Sequence, residues 1–471
     1  MKINEPTPEI QAMYERWRLC RDVLSGTHAV KKRGYEYLPK AYGAMDDTEY
    51  AGYKKHVPFY PAANRTREGI VGLMMRRDPV LEATGTLKEI KNTISSNGDS
   101  VEELAARTAY AYLSSGFVGQ FTDYPRAAAS SLGAALDEGV RAFVNLYDCF
   151  QILECTAGVV RNNRVPVRVR LLEDDSTVRL LELVDGRVVI SVYRAEPNGT
   201  FPDWGDPTEV YEPQALGRPL TEIPFDLITP DGRFEPSEPP LENVCLLNLD
   251  HYVTQGLLTT QHLFGITPML VFSGVDPKGD QQIQWSPGAI IKLESPEAKV
   301  YVVSVPSDAA VPLQVQLERL EDRLAAIASR ILARQKSVAE AAETEAVRQG
   351  AENSVLAMSA NKISAKMEQA LKRASKFTDR DATVRFQINT DYLPTDISPQ
   401  EITALLGLRS AGEMSAKSLF YKLRDGGVYD ETLTFEEEQK RLNEVKPQVA
   451  EVTTSPLVQP TDNSAPTAPT V

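Results

Sequence analysis

The most sustained hydrophobic pattern in the chain runs over residues 313–331, where Leu313, Leu317, Leu320, Leu324, Ile327 and Ile331 alternate steps of four and three. This is a heptad seam held for nearly three repeats and flanked by Glu318, Arg319, Glu321, Asp322, Arg323 and Arg330. It predicts a helix that packs along another helix. Upstream, residues 241–264 carry Val244, Leu247, Leu249, Tyr252, Leu257 and Leu263 nearly all round. That distribution predicts a helix of roughly 36 Å packed between neighbours, since a helix wet on one side would be more one-sided. Gly265 and Pro268 end it. Between the two helices, residues 266–306 break into Pro268-Met-Leu-Val-Phe-Ser-Gly274, Gln282-Ile-Gln-Trp285, Ala289-Ile-Ile-Lys-Leu293 and Lys299-Val-Tyr-Val-Val-Ser-Val305. Short apolar runs punctuated by Gly and Pro predict a small β module hung between the helices. After the seam the apolar steps lapse over 337–345. A second long helix then resumes through Val347, Val355, Met358, Ile363, Met367 and Leu371.

The N-terminal half reads as a platform for this unit. Residues 8–24 place Ile10, Met13, Trp17, Cys20 and Leu24 at helical spacing, with Arg16, Arg18, Arg21 and Asp22 mostly between them. Residues 62–74 present Ala62, Ile70, Leu73 and Met74 on one helix face, with Pro79 as the stop. Residues 101–115 form a further helix, 116–125 a strand running into a turn, 131–139 a helix, and 142–153 a strand or short helix. From Pro166 the runs become β-rich, and Asp185-Gly186 is a hairpin signal within an antiparallel sheet. Towards the C-terminus, Val384, Phe386 and Ile388 alternate as a strand. Ser398 and Ser415 stand at N-cap positions of two helices, and a third over 435–445 is acidic at its start, as the helix dipole favours. Residues 447–471 are rich in Pro, Thr and Ser without period, which predicts disorder.

Composition narrows the functional classes. At 471 residues, 42% hydrophobic and 25% charged, the chain is long enough for two to four domains around a large core. The first twelve residues are polar and contain Pro6 and Pro8, so no secretory signal is expected there, and no apolar run reaches membrane-spanning length. A net charge of −14 argues against tight wrapping of nucleic acid, which needs clustered Lys and Arg to displace counterions, but leaves loose passage open. Cys149 and Cys155 lack zinc spacing, and these two with Cys20 and Cys245 read as small buried hydrophobes. Among the histidines His28, His56, His251 and His262, the last two share a helix but stand ~16 Å apart, too far for one metal. Gly274-Val-Asp-Pro-Lys-Gly279 has the glycine spacing of a phosphate loop, yet Asp280-Gln281 follow where Lys and Ser or Thr are required. The acid pairs Glu102-Glu103 and Glu321-Asp322 are helix neighbours that face different ways, and no Ser/His/Asp set emerges. The helices around Ser410-Ala-Gly-Glu413 offer only Lys417, Lys422 and Arg424 as bases, so a structural role is expected rather than DNA reading. The expectation is a non-enzyme without cofactor or metal.

The order of parts then acquires a family look. A platform, a descending helix, a β insert, an ascending helix, a polar stretch and a long Ala/Glu-rich helix together resemble the portal proteins of tailed bacteriophages. Local text carries the same resemblance: Tyr14-Glu-Arg-Trp-Arg-Leu-Cys-Arg-Asp22, Phe59-Tyr-Pro-Ala-Ala-Asn-Arg-Thr-Arg-Glu-Gly-Ile-Val-Gly72, Thr122-Asp-Tyr-Pro125, Leu247-Asn-Leu-Asp-His-Tyr252 and Glu343-Thr-Glu345. It spans roughly residues 10–445, and the ordered set of motifs carries it rather than any one of them. The resemblance implies an α+β portal fold: a wing over 1–240, a first stem helix over 241–265, a β-rich clip over 266–306 and a second stem helix over 307–334. A tunnel loop over 335–345, a spine helix with a wing strand over 346–397, a helical crown over 398–446 and a disordered tail over 447–471 complete it.

What the resemblance implies about function is a homo-oligomer of about twelve subunits at one capsid vertex, through which double-stranded DNA is packaged and ejected. Its partners would be the terminase large subunit, the major capsid and scaffold proteins, and a head-completion or tail adaptor, with no membrane and no cofactor. It would be assembled in the host cytoplasm and reside in the virion. Carried over residue by residue, Arg334, Gln335, Lys336, Ser337 and Val338 would approach the duplex as the tunnel loop, unless the polar gap is a kink in a continuous helix. Lys278, Gln281, Gln282, Gln284 and Trp285 would lie in the clip facing motor and adaptor, and the heptad seam would pack the stem. Twelve helices ~10 Å apart close a ring whose hole is roughly 28 Å, wide enough for a hydrated duplex of about 20 Å. Such a ring would carry about −168 formal charges, so the duplex should slide rather than stick. Two other readings stand beside this one: a coiled-coil scaffold or adaptor without a channel, and an enzyme whose site is invisible in sequence. The β insert favours the first reading over a plain scaffold, which has no need to interrupt its helices.

Overall fold

The computed structural model describes residues 2–84, 91–123, 141–198, 201–266, 269–273, 299–303, 310–332, 342–377, 379, 381–390, 399–425, 428–429 and 433–445. Its elements are mixed helix and sheet, an α+β chain that divides into two units, Met1–Tyr392 and Leu393–Val471.

The first unit opens with helices α1 (Pro8–Leu24), α2 (Thr27–Arg33), α3 (Asp47–His56) and α4 (Ala62–Met74), then strand β1 (Val80–Ala83) and helix α5 (Val101–Ser115). Local chemistry sets these ends. Asp46 and Glu49 form a capping box at the start of α3, Ser100 and Glu103 form one at the start of α5, and each box satisfies two otherwise orphaned N–H groups. Gly116 closes α5 at φ 64°, a left-handed turn that only glycine adopts without cost.

Strands β2 (Val118–Asp123) and β3 (Phe143–Tyr147) follow, then the meander β4 (Ile152–Val160), β5 (Asn163–Asp174), β6 (Thr177–Val184) and β7 (Arg187–Arg194). Asp185 and Gly186 both take positive φ between β6 and β7, and Val184 pairs with Arg187, so the two-residue hairpin forms as its sequence predicts. After the short ribbon of β8 (Glu196–Asn198) and β9 (Phe201–Asp203), β10 (Glu209–Tyr211) joins the edge of β7. The result is a five-stranded antiparallel sheet in the order β10-β7-β6-β5-β4. A second ribbon, β11 (Gln214–Ala215) and β12 (Arg218–Pro219), leads to β13 (Phe225–Ile228), which completes a three-stranded sheet in the order β13-β2-β3.

Then comes the long-helix unit: α6 (Glu242–Ile266), β14 (Met269–Ser273), β15 (Lys299–Val303), α7 (Val311–Leu332), α8 (Ala342–Lys376) and β16 (Val384–Gln387). Two apolar clusters hold the unit together. One gathers side chains from the helices, among them Cys20, Ile70, Leu104, Tyr252, Leu324 and Met367, with Phe386 of β16. The other lies between the two sheets and α1, built on Trp17, Phe117, Phe121, Leu171, Ile190 and Phe225. Trp17 joins the two layers: its ring stacks on Phe117 at 5.4 Å and its indole N–H donates to the Ser115 carbonyl at 3.0 Å.

Two details differ from the sequence-based expectation. The buried stripe of α8 reads Leu356, Ala360, Ile363, Met367, Leu371 and Ala374, while Met358 is 51% exposed, because small alanines let the helix sit close to the sheet. Strand β1 pairs antiparallel with β16, from Val80 opposite Gln387 to Ala83 opposite Val384, and four residues are too few to announce a strand by alternation. The stretch 142–153 resolves into two strand segments, and the helix expected over 131–139 lies outside the described residues.

The second unit contains α9 (Pro399–Ser410), α10 (Ala416–Asp425) and α11 (Phe435–Val445). Ser415 caps α10 by accepting from the Ser418 N–H at 3.0 Å, and Thr434 and Glu437 form a reciprocal cap on α11. Phe420 gathers Tyr429 at 5.1 Å and Phe435 at 5.6 Å into a small aromatic core. The tail from 447 lies outside the described residues.

Candidate functional site

Helices α6 and α7 run side by side in opposite directions. Leu258 packs with Ala310 and Leu317 in one apolar group, while His251, earlier on α6, reaches Glu321, later on α7. The heptad seam supplies the contact face. Leu317, Leu320 and Leu324 are buried, Leu313 packs on Leu258, and Ile327 packs against the main core. The helical position of Ile331 is described but its side chain is not. The far end of the pair carries β14 and β15, an antiparallel hairpin in register from Met269 opposite Val303 to Ser273 opposite Lys299. Lys278, Gln281, Gln282, Gln284 and Trp285 fall between those strands, outside the described residues, as do Arg334, Gln335, Lys336, Ser337 and Val338 between α7 and α8.

The near end of the pair is rooted in the platform by a constellation that joins two motifs far apart in sequence. Asn248 is fully buried on α6. Its Oδ1 accepts from the Ala63 N–H at 2.9 Å, and its Nδ2 donates to the Tyr60 carbonyl at 2.8 Å. Ala63 lies in the first turn of α4, where N–H groups have no helical partner, so Asn248 caps a helix to which it does not belong. One turn on, Tyr252 meets Phe59 edge-on at 5.4 Å. Its hydroxyl is buried without a partner among the described residues, and burial pushes that group up to about 12.

The start of α6 is held from the other side. Arg16 of α1 forms a two-pronged ion pair with Glu242, Nε to Oε1 at 2.6 Å, and reaches Glu238 at 2.9 Å. These carboxylates hold the Arg16 guanidinium above its ordinary value. Glu242 also sits in the first turn of α6, where a negative charge suits the dipole. Behind α6, Gly256 faces Tyr53 so closely that a Cβ would stand 2.2 Å from the phenol oxygen, which lets α3 lie against the helix.

Between α4, α6 and α7 lies a half-open cavity of about 580 Å³ lined by Tyr60, Arg65, His251, Gln255, Glu321 and Leu324, among others. His251 Nε2 stands 3.2 Å from Glu321 Oε1, and the His251 Nδ1 is buried without a partner among the described residues. Arg65 lies over the Tyr60 ring at 5.0 Å. Thr66, the hydroxyl of this wall, is committed to the Ala62 carbonyl at 3.0 Å. The groups at this root fix the angle between two long helices and the platform. Among the described residues no three His, Cys, Asp or Glu side chains are placed to hold a metal ion. No described helix is long and apolar enough to cross a membrane.

Sequence reasoning quoted both motifs but did not join them, and it missed Asn248, Arg16 and Glu242. A signal for Asn248 was present: it is an amide inside an almost wholly apolar helical run, and a buried amide demands partners.

A family model described as a domain of unknown function (DUF4055) matches residues 240–378, less than a third of the chain, and its bounds coincide with α6, the hairpin, α7 and α8. No curated protein matches the chain. Among solved structures, a chain from the neck of an empty gene transfer agent particle, computed with C6 symmetry, is similar at 12% identity and a TM-score of 0.39, over 77% of this chain and 90% of that one. A chain from the virion of a native gene transfer agent particle shows 12% identity and a TM-score of 0.39, over 84% and 97%. A chain from the neck of the native particle, computed with C12 symmetry, shows 11% identity and a TM-score of 0.37, over 77% and 88%.

Proposed function

We propose that this chain is the ring-forming portal subunit of a phage-like virion, with α6 and α7 building the wall of a channel for double-stranded DNA. It acts by geometry and not by catalysis. The observation that carries this reading is a set of large apolar side chains left open on α6 and α7. On α6, Leu246 is 43% and Leu257 is 39% exposed, and their separation of eleven positions brings both to one side, ~16 Å apart. On α7, Val311 and Val315 lie exposed one turn apart. Burying a fully exposed side chain of this kind is worth about 1.5–3 kcal/mol, and these keep roughly half of that to gain, so a neighbouring copy laid along the pair stabilises both. The hairpin adds to the argument: Val271, Val300 and Tyr301 are exposed on it, and a two-stranded hairpin alone is marginal in water.

The order of wing, helix, β insert, helix and long helix supports a channel over a plain scaffold. In this reading residues 334–338 approach the duplex, and Lys278 with the 281–285 segment faces a terminase motor and later a neck or tail adaptor. Capsid and scaffold proteins surround the platform. The test is assembly of Leu246→Glu and Leu257→Glu, singly and together, by light scattering and circular dichroism. The expected result is loss of the oligomer with the helical signal of the monomer intact. An oligomer unaffected by the double variant counts against the stem wall.

A further inference from the structure

A second concavity, lined by α1, α4, α5 and the β3–β4 turn, collects arginines in a chain that is acidic overall. It encloses about 370 Å³, and Arg21, Arg67 and Arg107 line it together with Trp17, Tyr110 and Phe150. Arg67 is half-buried and meets only neutral acceptors. It donates to Ser114 Oγ at 3.0 Å, to Asn64 Oδ1 at 2.7 Å and to the Leu24 carbonyl at 3.3 Å, while its Nε is buried with no partner among the described residues. Glu68, the nearby carboxylate, is itself held by Asn64 at 2.8 Å. Arg21 lies over the Phe150 ring at 4.1 Å and makes no ion pair among the described residues. Arg107 alone is neutralised, by Asp99 at 2.5 Å.

The one acid in the lining, Asp148, spends an oxygen on the Phe150 and Gln151 N–H groups at 2.9 and 3.0 Å. Cys149 does not offset the arginines either, because burial and Asp148 push its thiol up and keep it neutral. Among the lining side chains three guanidinium groups face one carboxylate, Asp148, while Asp99 and Glu68 stand outside the lining and offset the charge from behind. Arg67 is the one of the three withdrawn from water, and a guanidinium so placed without a carboxylate hydrogen-bonded to it favours an added anion, which the exposed Arg21 and Arg107 can reach from the rim.

We infer that Arg21, Arg67 and Arg107 form a binding site for a single oxyanionic group, a phosphate or a carboxylate. The aromatic rings argue against a nucleobase. Phe150 is covered by Arg21 on a face and by Tyr14 at its edge, and Tyr110 is covered by Arg67 at 5.4 Å, so the rings hold guanidinium planes in place. A concavity of this size also admits one group and not the backbone of a duplex. The forked donors of arginine suit either oxyanion. Two sources supply that chemistry: free phosphate, or an acidic side chain of a second copy of this chain. The site does not depend on the ring.

The test is calorimetric titration of inorganic phosphate into the full-length chain, in chloride buffer, for the wild type, Arg21→Gln, Arg21→Lys and Arg107→Gln, with circular dichroism on each. Saturable binding that weakens at least about tenfold in Arg21→Gln, and less in Arg21→Lys, supports the site with free phosphate as its ligand. Should Arg21→Gln fail to fold, Arg107→Gln carries the same reading, since that side chain is half exposed. If the wild type takes up no phosphate because a carboxylate of another copy fills the pocket, both Gln variants lower the oligomer fraction in light scattering, which also supports the site and names its source. Phosphate binding retained in both Gln variants overturns the proposal. So does an absence of binding together with an unchanged oligomer fraction.

Discussion

Asn248 carries more of the architecture than its single amide suggests. Its two hydrogen bonds fasten α6 to the first turn of α4 and to the Tyr60 carbonyl just before it. Asn248→Ala removes both and leaves the buried Ala63 N–H unpaired, while the Tyr60 carbonyl keeps the Ala62 N–H at 2.9 Å, which is expected to cost roughly 1–3 kcal/mol in chemical denaturation. Gly119 makes an independent check on packing. A Cβ there would stand 2.1 Å from the ring of Phe225, which is buried on β13 as part of the second core cluster. Gly119→Ala is therefore expected to destabilise the three-stranded sheet by about 1–3 kcal/mol, seen as a lowered Tm. At this scale the sequence was legible in its text and not in its partners. Phe59, Asn248 and Tyr252 stand in motifs that read plainly, yet nothing in a linear pattern says that residues near 60 and near 250 meet. Pairing over such separations is set by tertiary packing.

Among the elements, the long helices were the most readable and the short strands the least. The heptad of α7 announced a buried seam, and Leu317, Leu320 and Leu324 are buried. Strand β1 was invisible, because its four residues make sense only beside β16. Besides its pairing with β1, β16 is tied to the long helix α8: Glu368 accepts from the Phe386 N–H at 3.0 Å and pairs with Lys372 at 2.5 Å. Lys372 and that N–H hold the Glu368 carboxyl below its usual range. The folded-state value is depressed, so the stabilisation is fully present above about pH 4.5, the ordinary value, and is lost as pH falls through the lower folded value. Glu368→Gln keeps an acceptor for Phe386 but has no proton to gain. It is expected to cost about 1 kcal/mol near neutrality and to flatten this part of the acid limb in stability measured against pH.

α8 is also pinned to the three-stranded sheet by Arg373, which pairs with the buried Asp226 of β13. Burial pushes the Asp226 carboxyl up and Arg373 pulls it back. In Arg373→Met the carboxyl is expected to take a proton, so the loss of stability, about 3–5 kcal/mol for an unpaired buried charge, shrinks at low pH. A loss independent of pH between 4 and 8 would speak against that coupling.

At the scale of the whole molecule, the chain has the parts of a wall element: a broad α+β platform, two antiparallel helices rooted in it through Asn248 and Glu242, and a β hairpin at their far end. Its open leucines make sense in an assembly, and a net charge of −14 on each copy suits a surface over which a duplex passes without adhering. The order of elements in sequence was enough to suggest this architecture, because long amphipathic helices declare themselves locally. Residue roles in the clip and tunnel loop rest on the resemblance alone. The measurement that tests the central claim most directly is single-particle imaging of the purified full-length chain at high concentration and two salt levels, with mass from light scattering. The account predicts rings of about twelve copies with a central hole of roughly 28 Å. Monomers or rods alone at every concentration, with capsid proteins co-expressed, would contradict it.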